Sequence, residues 1–383
     1  MTTTLEAPQR PGAASAAKVP VPVAGVLDIS SNGHGFLRAP DLTPTSHDVQ
    51  VPSSLIRQLG LRKGDFVTGL CGKPHTLGHV ETVGGLPAAA LRTRPRFADL
   101  TPLHPAERLR LEGASGLAGR VVDLVAPVGK GQRGLIVAPP KTGKTVLLQQ
   151  IAAAVATNHP EAHLMVVLLD ERPEEVTDMR RSVRGEVYAS TFDRPAKAHI
   201  ALAELAVERA KRLVEQGRDV VILLDSLTRL CRAHNNAASS GGRTLSGGVD
   251  AAAVLGPKQL FGAARNTEEA GSLTILATAL VDTGSRADDY FFEELKSTGN
   301  MELRLDRTLS DRRVFPAVDI TPSGTRREEL LVPADELAVV RGLRRALQGR
   351  DGQSSYEALL DKLRRSPDNA AFLRQVHRTV PGT

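Results

Sequence analysis

Cysteine is scarce in this chain: Cys71 and Cys231 are the two in 383 residues, and they stand far apart. That usage excludes a disulfide framework and a cysteine-rich zinc site, and it fits a reducing compartment. Long apolar runs are missing as well. The longest, such as Leu164 to Leu169, end in charge, well short of the ~18 uninterrupted apolar residues of a membrane span. Residues 1–24 are rich in Ala and Pro and lack the basic stretch and apolar run of a secretory signal. A cytoplasmic protein with no membrane partner is the expectation. No internal repeat of about 20 to 50 residues is visible, which argues against a solenoid.

What is present is an ordinary globular balance, 41% hydrophobic and 24% charged, in a chain long enough for a large core and a smaller one. The net charge of +6 favours an anionic partner such as nucleic acid or nucleotide. Charge alone does not choose between such a partner and a merely solvated basic surface.

The chain divides by pattern. Residues 1–24 read as a flexible tail, because they carry too little apolar surface to offset ordering entropy. Residues 25–88 hold five short β-type runs: Gly25–Ile29, Gly35–Arg38, Asp48–Val51, Asp65–Leu70 and His79–Val83. Closely spaced strands of this kind predict a small all-β barrel of the oligonucleotide-binding (OB) type. Residues 89–118, with Pro95, Pro102, Pro105 and the cations Arg92, Arg94 and Arg96, read as a connector and a candidate phosphate contact. From residue 119 to 383 apolar strands alternate with amphipathic segments, the pattern of a mostly parallel sheet covered by helices. The strands are expected at Gly134–Ala138, Leu164–Leu169, Val220–Leu224 and Leu273–Ala279, and a helix at about Ala196–Gln216 with a 3.6-residue apolar period.

The run Ala138 to Thr145 (APPKTGKT) leaves an apolar strand and opens a helix, the context in which a phosphate-loop pattern is specific. Its first position is Ala instead of Gly, while Gly143, Lys144 and Thr145 are intact. Such a loop cradles phosphates with backbone N–H groups at a helix N-terminus, brings a lysine to the terminal phosphates and offers a hydroxyl to Mg2+. ATP and magnesium are the implied ligands. Asp225, ending the run Val220–Asp225, is the candidate magnesium-ordering carboxylate, and Glu171, just past another strand, the candidate base that activates water.

With those runs joined to Leu169–Val176 (LDERPEEV), Leu224–Leu230 (LDSLTRL), Leu245–Asp250, Phe261–Asn266, Asp282–Ser285, Lys296–Met301 and Arg313–Asp319, the chain resembles the bacterial transcription termination factor Rho family over about residues 25 to 380. That family tends to carry Ala at the first loop position. The resemblance implies a RecA-like phosphate-loop ATPase domain preceded by a cold-shock-like OB barrel. It also implies a homohexameric ring and an RNA-stimulated translocase and helicase that acts on nascent single-stranded RNA beside transcribing RNA polymerase and its elongation factors. Carried over by position, Gly129, Lys130, Gly131, Gln132, Arg133 and Gly134, together with Lys141, Thr142, Gly143, Lys144, Thr145 and Val146, line the nucleotide. Phe315 stacks on adenine, Arg172 contacts phosphate, and Arg326 is the arginine finger given to the adjacent subunit.

The resemblance also implies two RNA sites. The pore site comprises Arg243, Thr244, Leu245, Ser246, Gly247 and Gly248, with Gly284, Ser285 and Arg286 in a second loop. The primary site comprises Gly33, His34, Gly35, Phe36, Leu37, Arg38, Asp48, Val49 and Gln50. Here the sequence departs from the family pattern: His34 stands where a second aromatic is usual, the aromatic expected near Gln50 is absent, and the loop around Lys73 to His75 lacks a Tyr. Since each base stack is worth about 1–3 kcal/mol, this site is expected to grip weakly and through charge, by Arg38 and the connector arginines. The helical segment that usually precedes the barrel is not expected in a tail this short. A rotary ATP synthase catalytic subunit shares the ring and the phosphate loop, but the barrel and the Asp282–Arg286 loop oppose it. A non-hydrolysing RNA-binding paralogue is opposed by the presence of Glu171, Lys144 and Arg326.

Overall fold

Every residue of Val220–Asp225 is buried, as a parallel strand covered on both faces must be. It belongs to a seven-stranded sheet in the order Glu186–Thr191, His163–Glu171, Val220–Asp225, Leu273–Leu280, Arg133–Ala138, Met301–Leu305 and Val318–Thr325. Neighbours are parallel except the final antiparallel pair. The computed structural model describes residues 21–113, 116–238, 244–245, 248–250, 253–348 and 352–379.

Alternation along the strands divides the core into two layers. Ile136, Val166, Leu168, Val221 and Leu223 face one side, where they meet Leu148 and Ile151 of the helix Lys144–Asn158 and Leu360 and Phe372 of the C-terminal helices. Leu135, Val137, Met165, Val167 and Leu224 face the other, against Leu205, Leu230 and Phe291. The helix Ala196–Val214 stops two residues before the expected end. Gly217 turns the chain there with φ +80°, a left-handed conformation that glycine adopts without cost.

The amino-terminal unit is a barrel. Its strands run in the order Val49–Val51, Gly35–Arg38, Val21–Ile29, Phe66–Lys73, Thr76–Val83 and Leu86–Pro87, and the pairing of Gln50 with Thr76 closes it. The first strand starts at Val21, so four residues assigned to the tail are part of the barrel. A short sixth strand and the helix Ser53–Leu59 were not expected. Leu55, Ile56 and Leu59 of that helix pack on the barrel core of Leu27, Leu37, Val51 and Val67. Curvature comes from register shifts between Thr68 and Lys73. At Gly69 a Cβ would stand 2.1 Å from the His79 carbonyl oxygen, so only glycine permits so close an approach of two strands.

A buried carboxylate joins the two units. Glu215 accepts from the Phe97 N–H at 2.8 Å and meets Arg62 of the barrel at 3.0 Å, Arg212 at 3.0 Å and Arg94 at 3.7 Å. Arg94 also pairs with Asp65. This corrects one expectation: Arg94, almost fully buried between two carboxylates, is a strut between domains and not a free cation for phosphate. The Arg92 side chain lies outside the described residues, and Arg96 is exposed.

Candidate nucleotide and RNA sites

Parallel strands bring their carboxyl ends to one edge of a sheet, where α/β proteins place ligands. The phosphate loop leaves Arg133–Ala138 at this edge and enters the helix Lys144–Asn158 through Gly143, whose φ is +83°. Lys141 also has positive φ. The loop is pinned from within by the Thr142 hydroxyl on the Pro139 carbonyl, 2.8 Å, and from outside by the Ser310 hydroxyl on the Lys141 carbonyl, 2.7 Å.

Glu171 and Asp225 end neighbouring strands of the same sheet, and both reach Lys144. The ammonium stands 2.5 Å from Asp225 Oδ1 and 3.3 Å from Glu171 Oε1. Two residues that pattern reasoning missed complete the cluster. Thr278 donates its hydroxyl to Asp225 at 2.8 Å, and Arg229 meets Glu171 at 3.0 Å while donating to the Asp170 carbonyl. Arg229 carried a legible signal: a cation one turn into the helix that follows a strand-end aspartate faces back toward that strand. Thr278 carried none, because nothing but the register beside Leu224 and Ala277 brings it to Asp225. Burial, followed by the Asp225 carboxylate, pushes the Glu171 carboxyl above its usual range, against the opposing pull of Lys144 and Arg229.

Thr145 points its hydroxyl toward Glu175 at 3.4 Å. Beside the loop lies a cleft of about 520 Å³ lined by Thr142, Gly143, Val146, Gln150, Phe315 and Pro316. Phe315 is 41% exposed, and its ring would be 3.3 Å from a Cβ at Gly143. Arg172 is exposed next to Glu171. Thus Lys141 to Val146, Phe315, Arg172, Glu171 and Asp225 come together at one edge.

Gly129 to Gly134 and Arg326 do not. Gly134 pairs with Met301, and Met301 with Thr325, so both groups sit at the amino end of the phosphate-loop strand. Along that strand, at roughly 3.3 Å per residue, they lie about 15 Å or more from the loop. The expectation that Gly129 to Gly134 line the same nucleotide as Lys141 to Val146 is therefore not met within one chain. Lys130 is instead bound by Glu107, Asp219 and Glu161 at 2.6, 2.8 and 3.3 Å.

On the barrel, alternation sends Leu37 into the core and leaves His34, Phe36 and Arg38 on the opposite face, with Gln50 paired to Phe36. Gly33 supplies the turn, with φ +79°. His34 is exposed and Phe36 half-buried. Arg38 differs from expectation: it is held by Asp28 at 2.6 Å and Asp48 at 2.5 Å, over the Phe36 ring at 5.3 Å. Two carboxylates already neutralise it, so it orients Phe36 and has little charge left for phosphate.

In the first pore segment Thr244 and Leu245 pair with Asp250 and Val249, and Gly248 has φ +77°. Arg243, Ser246 and Gly247 lie outside the described residues. In the second, Ser285 caps the helix Arg286–Lys296, while Thr283 and Arg232 both bind the buried Asp288 at 2.6 and 2.9 Å. Gly284 has φ +76°, and Arg286 is exposed. Among the described residues no helix is long and apolar enough to cross a membrane.

Fold and site together define a RecA-like, nucleotide-binding ATPase domain carrying an RNA-binding barrel. Residues 118–325 match the nucleotide-binding domain of the ATP synthase alpha/beta family, and residues 23–89 match the RNA-binding domain of the Rho termination factor. The chain belongs to the transcription termination factor Rho family. It is 71% identical to transcription termination factor Rho of Streptomyces coelicolor, over 100% of this chain and 91% of that one. With the Streptosporangium roseum protein of the same name it shares 61% identity over 94% of this chain and 93% of that one. With that of Mycobacterium tuberculosis it shares 55%, over 94% of this chain and 62% of the longer relative. Among solved structures, a prototypical ATPase of a bacterial type III secretion system superposes with a TM-score of 0.61 at 21% identity, over 73% of this chain and 86% of that one. The assembled ATPase EscN of enteropathogenic E. coli gives 0.59 at 20%, over 72% of each. These two likenesses concern the fold alone.

Proposed function

We propose that this protein is an RNA-stimulated ATP hydrolase that translocates on single-stranded RNA, works as a helicase and terminates transcription by acting on nascent transcripts beside RNA polymerase. The observation that carries the reading is the convergence of Lys144, Asp225 and Glu171 at one sheet edge, in a chain whose barrel is tied to the ATPase domain through Glu215. Lys144 exchanges its carboxylate partners for the terminal phosphates of ATP. Glu171, raised toward the operating pH, takes a proton from the attacking water. Phe315 covers the base in the cleft beside Gly143, and Arg172 reaches phosphate. Thr145 and Asp225 offer hard oxygen donors, which fits magnesium; when bound, the ion neutralises charge on the phosphates.

Arg326 supports a ring. An arginine at the opposite end of the sheet from its own phosphate loop can reach a nucleotide only on another copy, and such a group is worth roughly 10³ to 10⁵ in rate in related phosphoryl transfer. A homohexamer, with Arg243 to Gly248 and Gly284 to Arg286 facing a central RNA strand, is the assembly we infer. The domains run as a barrel through residue 88, a connector to 118 and the ATPase domain beyond. The test is ATPase rate with and without poly-pyrimidine RNA. Strong stimulation is expected, whereas an RNA-independent rate would point to a rotary-type subunit and a zero rate under both conditions to a non-hydrolysing RNA-binding paralogue.

A further inference from the structure

The run Gly129 to Gly134 and the run Lys296 to Met301 have no role in the site of their own chain, yet they are bound to each other with unusual completeness. Gln132 is fully buried. Its backbone N–H closes a turn on the Gly129 carbonyl at 3.0 Å, and its side-chain oxygen accepts from the Gly129 N–H at 3.2 Å. Its side-chain amide donates to Asn300 Oδ1 at 2.6 Å. The same Asn300 oxygen accepts from the Arg133 backbone N–H at 2.9 Å, and the Asn300 N–H donates to the Arg133 carbonyl at 3.0 Å.

The remaining backbone group of Asn300, its carbonyl, accepts from the backbone N–H of Arg326 at 2.9 Å. On the preceding residue, the buried Thr325 donates its hydroxyl to the Pro127 carbonyl at 2.7 Å. Arg326 therefore leaves a rigid base while its own side chain is exposed and, among the described residues, has no carboxylate partner. The turn itself tolerates little change: Gly131 has φ +91°, and a Cβ there would lie 2.2 Å from the Asn266 nitrogen.

We propose that Asn300 is the positioning residue of Arg326: it clamps the Gly129–Arg133 turn to the residue that carries the guanidinium, and so fixes where that guanidinium enters the adjoining subunit's nucleotide site. The inference rests on the trans role given to Arg326 above. It explains why a glycine-rich turn that does not meet its own phosphate loop is built around buried amide hydrogen bonds: the turn serves the neighbour's site. Electrostatics agree with the geometry. Burial, then the like charges of Arg265 and Arg326, lower the Arg133 guanidinium from its ordinary value. A cluster of three cations, with Arg133 donating to the Thr298 and Ala264 carbonyls at 3.0 Å each, leaves Arg326 the exposed member to meet an anion.

The test is complementation in mixed assemblies of the full chain. Asn300→Ala alone should lower kcat about tenfold or more and change KM for ATP less than about threefold, because its own phosphate loop is intact. Mixed with Lys144→Ala chains, which hydrolyse nothing but carry a well-placed Arg326, the rate per Asn300→Ala chain should rise several-fold. A merely structural defect in the Asn300→Ala chain would not be repaired by a neighbour. Arg326→Ala chains mixed in the same way report on the trans role itself. A rise for Arg326→Ala with none for Asn300→Ala overturns the positioning role and leaves the trans reading standing. No rise for Arg326→Ala overturns the trans reading and the inference with it. Should Asn300→Ala not assemble, Gln132→Ala removes the other half of the same clamp and is expected to give the same pattern, and its failure to be rescued beside a rescued Arg326→Ala counts against the clamp.

Discussion

The Lys144 ammonium lies 2.5 Å from Asp225 Oδ1, so the phosphate-loop lysine is paired with the strand-end carboxylate. Buried carboxylates are costly unless paired. Removing the lysine should therefore act on stability as well as on turnover. Lys144→Ala is expected to abolish ATP hydrolysis and to lower stability by about 1–3 kcal/mol, with Thr278 and Arg229 retaining part of the network. ATPase assays and thermal melts check both. Turnover near that of the unaltered protein would show the loop to be misassigned.

Glu171→Gln keeps the shape and removes the base. Turnover should fall roughly 10² to 10⁴-fold while ATP binding, measured by titration, stays nearly unchanged. An equal loss of binding would make Glu171 a structural residue.

The raised Glu171 carboxyl gives a pH prediction with a definite sign. The base must be ionised to work, so kcat should fall on the acid side with a midpoint above the usual 4.5 of a glutamate, and Glu171→Gln should remove that limb. A carboxyl raised in the folded state binds protons more readily there than in the unfolded chain. Its contribution to stability is therefore full at low pH and lost as pH rises through the folded value. At neutral pH Glu171→Gln should accordingly not lower Tm, and a clear drop would mean that the pairs with Lys144 and Arg229 outweigh burial.

On the barrel, His34→Phe should tighten short pyrimidine oligomers by about 1 kcal/mol if the ring restores one stack. Arg38→Met should behave differently: because Asp28 and Asp48 lose their shared cation, the expected loss is in barrel stability. The salt slope of RNA binding should change little, since that guanidinium is already neutralised. Fluorescence titrations at two salt concentrations, with melts, separate the two effects. A large fall in slope for Arg38→Met would return Arg38 to direct phosphate contact.

Glu215→Ala should loosen the barrel from the ATPase domain, because Arg62, Arg94 and Arg212 then share a pocket without their acceptor. RNA-stimulated ATPase should fall more than the basal rate, and protease should cut the 89–118 connector faster. Unchanged stimulation would show that the joint does not carry the coupling.

Local chemistry made much of this protein legible in the sequence. The phosphate loop, the strands that end in Glu171 and Asp225, the five main barrel strands and the parallel sheet follow from apolar periodicity and from residues such as Gly143 and Lys144, whose role depends on immediate neighbours. The helix Ser53–Leu59 was missed because seven residues are too few to show a period. Other features depend on contacts between distant parts of the chain. Arg38 and Arg94 look like free cations in the sequence; folding places Asp28, Asp48, Asp65 and Glu215 against them, and charge that is neutralised across strands and domains leaves no local trace. Gly129 to Gly134 were placed in one nucleotide site with Lys141 to Val146 by family resemblance, yet the extended strand Arg133–Ala138 carries the two groups to opposite ends of the sheet. Register and the buried partners of each charge were decided by tertiary structure alone, since a hydrogen bond such as that from Arg326 to Asn300 is set by which backbones lie side by side and not by either residue's type.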